Sequence, residues 1–212
     1  VVENAKQTLE HVWVATDDSR IFTVVENFGG KAVMTSTHHQ SGTDRCAEAA
    51  RILQKDVDFD VVINIQGDEP FIRAEQIDLL KSCFENETDI ATLIKNIDSK
   101  DELFNPNRPK VVIDKNFYAL YFSRSTIPHI RGEEENEWLD NTSFWAHIGM
   151  YAYRNKILQE ITKLPTGKLE LAESLEQLRW LENGYRIKTV ETNHQSIGID
   201  TPEDLDAALQ LL

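Results

Sequence analysis

Cysteine is scarce in this sequence: 212 residues contain only Cys46 and Cys83, and neither takes part in a zinc-type His/Cys spacing. A disulfide-rich framework is therefore excluded, and two isolated thiols in helix-like segments predict reduced core residues, as in a cytoplasmic protein. Glycine (9) and proline (6) are few enough to exclude collagen-like or low-complexity architectures. No apolar run approaches the roughly 20 residues of a membrane span. No basic stretch leading into an apolar segment and a small-residue cleavage site opens the chain, so nothing argues for secretion. Positive charge is also short, 22 basic residues against 36 acidic for a net charge of −14. A nucleic-acid polymer needs a basic footprint that this chain lacks. A single nucleotide stays possible, because a few local cations or a divalent ion reverse the field inside a cleft.

What is present is an alternation of short apolar runs and amphipathic stretches. His11 to Thr16 reads as a buried strand and Ser19 to Phe28 as a helix with Ile21, Val24, Val25 and Phe28 on one face, closed by Gly29-Gly30. Strands are predicted at 31–35, 60–66 and 90–95, with helices at 43–53 and 74–84 between them. This order implies an α/β protein: a mostly parallel, Rossmann-like sheet with helices on both faces. The second half predicts a hairpin (110–113 and 118–123), a long strand (144–153), helices at 156–162, 171–183 and 202–211, and a strand at 186–190. We expect a single domain over 1–212 in which about 105–150 forms a small β-rich lobe. The hairpin is apolar on both faces, so one face wants a partner, and a homodimer is expected. The acidic run from Glu133 to Glu137 reads as a solvated loop.

Ligands of open α/β sheets bind beyond the carboxyl ends of the strands. Three segments fall there. In His39-Gln40-Ser41-Gly42-Thr43-Asp44-Arg45, glycine lets backbone approach a ligand, hydroxyls and Arg45 offer donors, and the helix start favours anions. The same residues also read as a plain helix cap with an exposed arginine. In Gln66-Gly67-Asp68-Glu69-Pro70, a carboxylate at a strand end suits Mg²⁺ held against phosphates, and a tight turn explains it equally well. In Ile199-Asp200-Thr201-Pro202-Glu203-Asp204, Thr201 and Pro202 account for the helix start, which leaves Asp200 surplus. Asp68 and Asp200 are thus candidates to share one divalent ion.

HQSGTDR, NIQGDEPFI, FNPN followed by PKVV, ALYFSRSTIP, HIGMYAYR, LELAESLEQLRWLENGY and GIDTPEDL occur in that order. Together they resemble the 3-deoxy-manno-octulosonate cytidylyltransferases (CMP-Kdo synthetases) from about Val12 onward. The resemblance implies a nucleotidyltransferase fold with a dimerisation lobe, CTP and the acidic sugar Kdo as substrates, and Mg²⁺ as cofactor. It further implies that Gln40, Ser41, Gly42, Arg45 and Gln66 line the nucleotide, and that Asp68 and Asp200 are the catalytic metal ligands. Arg124, His147, Tyr151, Glu176 and Gln177 match the sugar-acid pocket, with the sugar carboxylate on Arg124 and His147. His147 and Tyr151 share a strand face by period two. Without the resemblance, Arg124 reads as a surface charge, His147 as a core histidine and Glu176 as part of an exposed helix face. Family members open with a strand and an Arg/Lys loop that grips the triphosphate, and these are expected ahead of Val1. The rivals are a cytidylyltransferase for another acidic sugar such as a sialic acid, and a non-catalytic nucleotide- or sugar-binding module.

Overall fold

The computed structural model describes residues 1–85, 87–194, 198–199, 206 and 209. In chain order the elements are α1 (Val2–Ala5), β1 (Val14–Thr16), α2 (Ser19–Asn27), β2 (Ala32–Met34), α3 (Gly42–Leu53), β3 (Val61–Asn64) and α4 (Ala74–Ser82). There follow β4 (Ile90–Asn96), α5 (Lys100–Phe104), β5 (Lys110–Ile113), β6 (Ala119–Ser123), α6 (Trp138–Asn141) and β7 (Trp145–Arg154). Then come α7 (Asn155–Ile161), α8 (Lys168–Glu173), α9 (Gln177–Glu182) and β8 (Ile187–Glu191). The helix expected over 202–211 lies outside the described residues.

The α/β class holds. β1 and β2 pair in parallel as one sheet, and β6-β5-β7-β4-β8 form a second, with β3 also paired to β7. The parallel pairing expected from strand–helix alternation is found for β1/β2 and β4/β8. β7 runs antiparallel to β3, β4 and β5, which makes the larger sheet mixed. The segment expected as a lobe therefore supplies strands to the same sheet. Between β1 and β3, which do not pair, lies an apolar slot of about 220 Å³ lined by Trp13, Ala15, Cys46, Ala50, Val61 and Ile63.

The period of the strands explains the two cores. Ile90, Ile94, Tyr151 and Tyr153 face α3, α7 and α9 through Ala47, Leu158, Leu178 and Trp180. Ala91, Leu93, Ile148, Met150 and Ala152 face the other way, onto Ala5, Ile77, Leu80 and Cys83. Both sheet faces are thus buried, which is why the central runs read as continuously apolar. One irregularity interrupts the β4/β7 ladder. Thr92 sits opposite Tyr151 while Leu93 sits opposite Ile148, so Gly149 and Met150 bulge out unpaired. The Thr92 hydroxyl fills the gap by donating toward the carbonyls of Ile148 (3.1 Å) and Met150 (2.9 Å).

Two expectations differ in detail. The stripe of α2 is mostly solvent-exposed: Ile21, Val24 and Phe28 lie at 49%, 60% and 55% exposure, and only Val25 is buried. The two-stranded sheet beneath is too small to cover the whole stripe. The helix expected over 171–183 is broken into α8 and α9 at Ser174, which takes a left-handed conformation (φ 51°). This core predicts a contrast by urea denaturation. Phe122→Ala, at a fully buried position, should lose about 3–5 kcal/mol of unfolding free energy. Val24→Ala should stay within about 0.5 kcal/mol of the parent, and a comparable loss there would contradict the exposed stripe.

Candidate functional site

The first turn of α3 is the organising element. Ser41 is extended (φ −140°, ψ 162°) and its Oγ accepts from the Asp44 N–H at 3.1 Å, a proper N-cap. The same hydroxyl donates to Glu176 Oε1 at 3.1 Å, and Thr43 Oγ1 donates to Glu176 Oε2 at 2.6 Å. Gly42 permits a close approach: a Cβ there would lie 3.0 Å from Gln66 Nε2 and 3.6 Å from Asn64 Nδ2. Ser41, Gly42 and Gln66, all predicted for the nucleotide, therefore meet at the end of β3. Arg45 stands aside from them. Its guanidinium donates to Asp17 Oδ2 (2.9 Å) and Thr35 Oγ1 (2.7 Å), tying the ends of β1 and β2 to α3. Gln40 is exposed, with its amide on the His38 carbonyl at 3.2 Å. One turn further, Glu48 accepts from the Ser36 N–H at 2.7 Å and contacts His39 Nε2 at 2.5 Å, which anchors the loop into α3. These contacts hold the Glu48 carboxyl below the usual range.

β7 carries two of the residues expected on the sugar side, His147 and Tyr151. Tyr151 lies in register with Asn64 on one side and Thr92 on the other. His147 is buried, with Nε2 at 3.0 Å from Thr92 Oγ1, and its ring is 5.1 Å from Phe122 and 5.2 Å from Tyr151. Burial pulls the His147 pKa down to about 3. The imidazole is therefore neutral near pH 7. A neutral imidazole offers a hydrogen bond and no counter-charge. Burial, reinforced by the charge of Glu176, raises the Tyr151 pKa well above its ordinary value. The side chain of Gln177 is buried, and its Nε2 has no hydrogen-bond partner among the described residues. An amide in that state suits a bound ligand acceptor.

The break between α8 and α9 is capped by a residue distant in sequence. Arg124 Nε donates to the Glu173 carbonyl at 2.7 Å and NH2 to the Ser174 carbonyl at 3.3 Å, placing a cation on the last carbonyls of α8. Its NH1 reaches the Pro106 carbonyl at 3.1 Å. Glu173 returns the contact, accepting from the Arg124 N–H at 2.9 Å and from Ser123 Oγ at 2.7 Å. The break sets Glu176 and Gln177 at the start of α9, facing α3. Desolvation raises the Glu176 pKa, opposed by hydrogen bonds from Thr43 and Ser41 and by the charge of Arg179. Sequence reasoning noted the Thr43 hydroxyl but missed Asn64, Lys110 and Glu173 as contributors, which show themselves only through contacts distant in sequence.

Asp68 follows Gln66 by two residues and is exposed; its carboxylate makes no hydrogen bond or ion pair among the described residues. The Asp68 carbonyl accepts from the Ile199 N–H at 2.8 Å, so the chain returns to this turn one residue ahead of Asp200. Asp200 itself lies outside the described residues, which contain no cluster of three or more His, Cys, Asp or Glu that could hold a metal. One uncommitted carboxylate is what Mg²⁺ uses when substrate phosphates and water complete its shell, and it is too few for an all-protein cage.

The neutral His147 generates a pH prediction. Its pKa lies near 3 in the fold and near 6.5 in an unfolded chain. Stability is thus complete above pH 6.5 and falls below it, since only the unfolded state takes up the proton. Urea denaturation should show this residue contributing a loss of about 1.4 kcal/mol per pH unit between pH 6 and 4. His147→Gln should lack that component, and an unchanged slope in the variant would refute the assignment.

Comparison with known proteins agrees with this geometry. A family profile described as cytidylyltransferase matches residues 1–189. The 3-deoxy-manno-octulosonate cytidylyltransferase of Parabacteroides distasonis is 57% identical over 217 residues, covering 100% of this chain and 86% of the relative. That of Bacteroides thetaiotaomicron is 54% identical with the same coverage. A solved CMP:2-keto-3-deoxy-manno-octonic acid synthetase complexed with CTP superposes with a TM-score of 0.89 at 40% identity, covering 99% of this chain and 84% of that one. A thymidylyltransferase structure from Bacillus anthracis, at 16% identity and a TM-score of 0.57, shares the fold alone. With the motifs, the fold and the relatives in agreement along its length, the chain belongs to the 3-deoxy-manno-octulosonate cytidylyltransferase family.

Proposed function

We propose that this chain transfers CMP from CTP to 3-deoxy-D-manno-octulosonate, releasing pyrophosphate and giving the activated sugar for lipopolysaccharide assembly. Beside family membership, one structural observation carries the reading: Glu176 joins the start of α3 to the start of α9 through Ser41 and Thr43. The nucleotide segment and the sugar segment thereby share a border. The Glu176 carboxyl group already engages the hydroxyls at the α3 start, so the segment suits the neutral groups of a cytosine and ribose. The phosphates then lie toward Asp68, and the sugar acid toward Arg124, His147, Tyr151 and Gln177.

In the reaction the anomeric hydroxyl oxygen bonds to the α-phosphorus of CTP. The bond from that phosphorus to the bridging oxygen breaks, pyrophosphate leaves with the electron pair, and the hydroxyl proton passes to solvent. Such chemistry depends on alignment and charge neutralisation. Asp68 and Asp200 would hold Mg²⁺, whose contribution when bound is to neutralise phosphate charge and acidify the attacking hydroxyl. Arg124 pairs with the sugar carboxylate, and the neutral His147 and Gln177 orient its hydroxyls. Its two unpaired cysteines support a cytoplasmic location.

A homodimer completes the reading. On the β5–β6 hairpin, Val111 and Phe122 are buried while Leu120 is 62% and Phe117 42% exposed. That outer side suits a second copy of the chain.

Pyrophosphate release from CTP, assayed with several acidic sugars on the full-length polypeptide, tests the central claim. Turnover should require 3-deoxy-manno-octulosonate, and equal turnover with a sialic acid would sink it. Asp68→Asn should lower kcat by roughly a hundredfold or more with a melting temperature shift under about 2 °C. Near-normal turnover would remove Asp68 from the site. Arg124→Ala should raise KM for the sugar acid roughly ten- to hundredfold, the loss of one charge-assisted pair, with KM for CTP little changed. Light scattering should give a dimeric mass that Leu120→Glu reduces to a monomer; a monomeric parent would end the dimer proposal.

A further inference from the structure

Lys110 has no solvent exposure, yet it carries an ammonium group. Lysine is almost never fully buried unless its charge is compensated. Here the compensation is complete: Nζ donates to the carbonyls of Asn105, Arg108 and Arg124, each at 2.8 Å. An ammonium has three N–H donors, so no donor is left for a ligand. Lys110 cannot be a direct phosphate or carboxylate grip. Desolvation, then the neighbouring charge of Arg124, lowers its pKa, and Glu173 opposes them.

Its place in the sheet says what it holds. As the first residue of β5, Lys110 is in register with Ser123 of β6 and with Ala146 of β7. The adjacent Pro109 carbonyl accepts from the His147 N–H at 2.9 Å. One residue therefore stands between Arg124 and His147, the charged and the neutral partners of the sugar acid. The Arg124 guanidinium is itself held by the carbonyls of Glu173, Ser174 and Pro106, leaving one N–H on each terminal nitrogen. Pro106 lies in the turn whose Asn105 and Arg108 carbonyls Lys110 grips. The ammonium thus fixes Arg124 twice, once by its own backbone carbonyl and once through the turn that receives its NH1. Among Lys110, Arg124 and Glu173, one positive charge remains uncompensated, the sign that a carboxylate substrate requires.

We infer that Lys110 is a positioning residue for sugar-acid recognition, acting entirely through Arg124 and the 105–108 turn and never by touching substrate. The inference rests on reading Arg124 as the partner of the sugar carboxylate. A double-mutant cycle on the full-length polypeptide, with CTP and 3-deoxy-manno-octulosonate as substrates, separates the two. Lys110→Met should raise KM for the sugar acid by about tenfold and leave KM for CTP within about twofold, and in the Arg124→Ala background the same change should add less than about twofold. Lys110→Gln, which keeps two of the three donors, should give an intermediate sugar KM and serves in place of the methionine variant if that does not fold. Multiplicative losses in the two backgrounds, or equal effects on both substrates, would overturn the positioning role alone. An Arg124→Ala enzyme with unchanged sugar KM would overturn the reading of Arg124 and the inference together.

Discussion

The structure depends on how the first two turns of α3 dispose of their polar groups. A helix start leaves backbone N–H groups without intrahelical partners and concentrates side chains in a small space. Here that space serves as a junction. Ser41 and Thr43 reach the start of α9, Arg45 binds the ends of β1 and β2, and Glu48 secures the incoming loop. Gly42, lacking a Cβ, lets the whole assembly press against the end of β3. A junction built this way needs no separate scaffold, since each contact that positions one of its side chains also joins two elements of the fold.

The same economy explains why charges in the site differ in role. Arg45 and Arg124 both looked like ligand cations in sequence. Arg45 makes its best-formed bonds to Asp17 and Thr35, side chains of the protein itself. Arg124 caps carbonyls at the end of α8 and retains N–H groups beyond those bonds. His147 is deprived of charge by burial, whereas at Glu176 the desolvation that raises its pKa is opposed by donors from Thr43, Ser41 and Arg179. Local sequence cannot separate such cases, because each depends on what a distant segment brings against the group.

The fold was legible to the extent that periodicity carries it. Apolar runs at β3, β4 and β7 and the alternation of helices gave the α/β class, and the 110–123 hairpin was found at nearly the right residues. The antiparallel course of β7 was not legible, since strand direction leaves no trace in an apolar run. Nor was the break at Ser174: 171–183 has an unbroken helical pattern, and the cation that caps the broken end is an arginine some fifty residues upstream. In the candidate site, motif order singled out Ser41, Gly42 and Gln66, which the fold brings together at the end of β3. Lys110 went unnoticed because it stands in an apolar strand, where a lone lysine resembles an edge charge.

The bulge in β7 carries a consequence of its own. Two residues, Gly149 and Met150, are inserted opposite Thr92 and Leu93, and two is the period of a strand. The strand gains length without a change of phase, so His147 and Tyr151 keep to one side and Ile148 and Ala152 to the other. An insertion or deletion of one residue at this point would invert half of β7, turning His147 out of its pocket and a core isoleucine into its place. A change of two would leave every side chain on its own side.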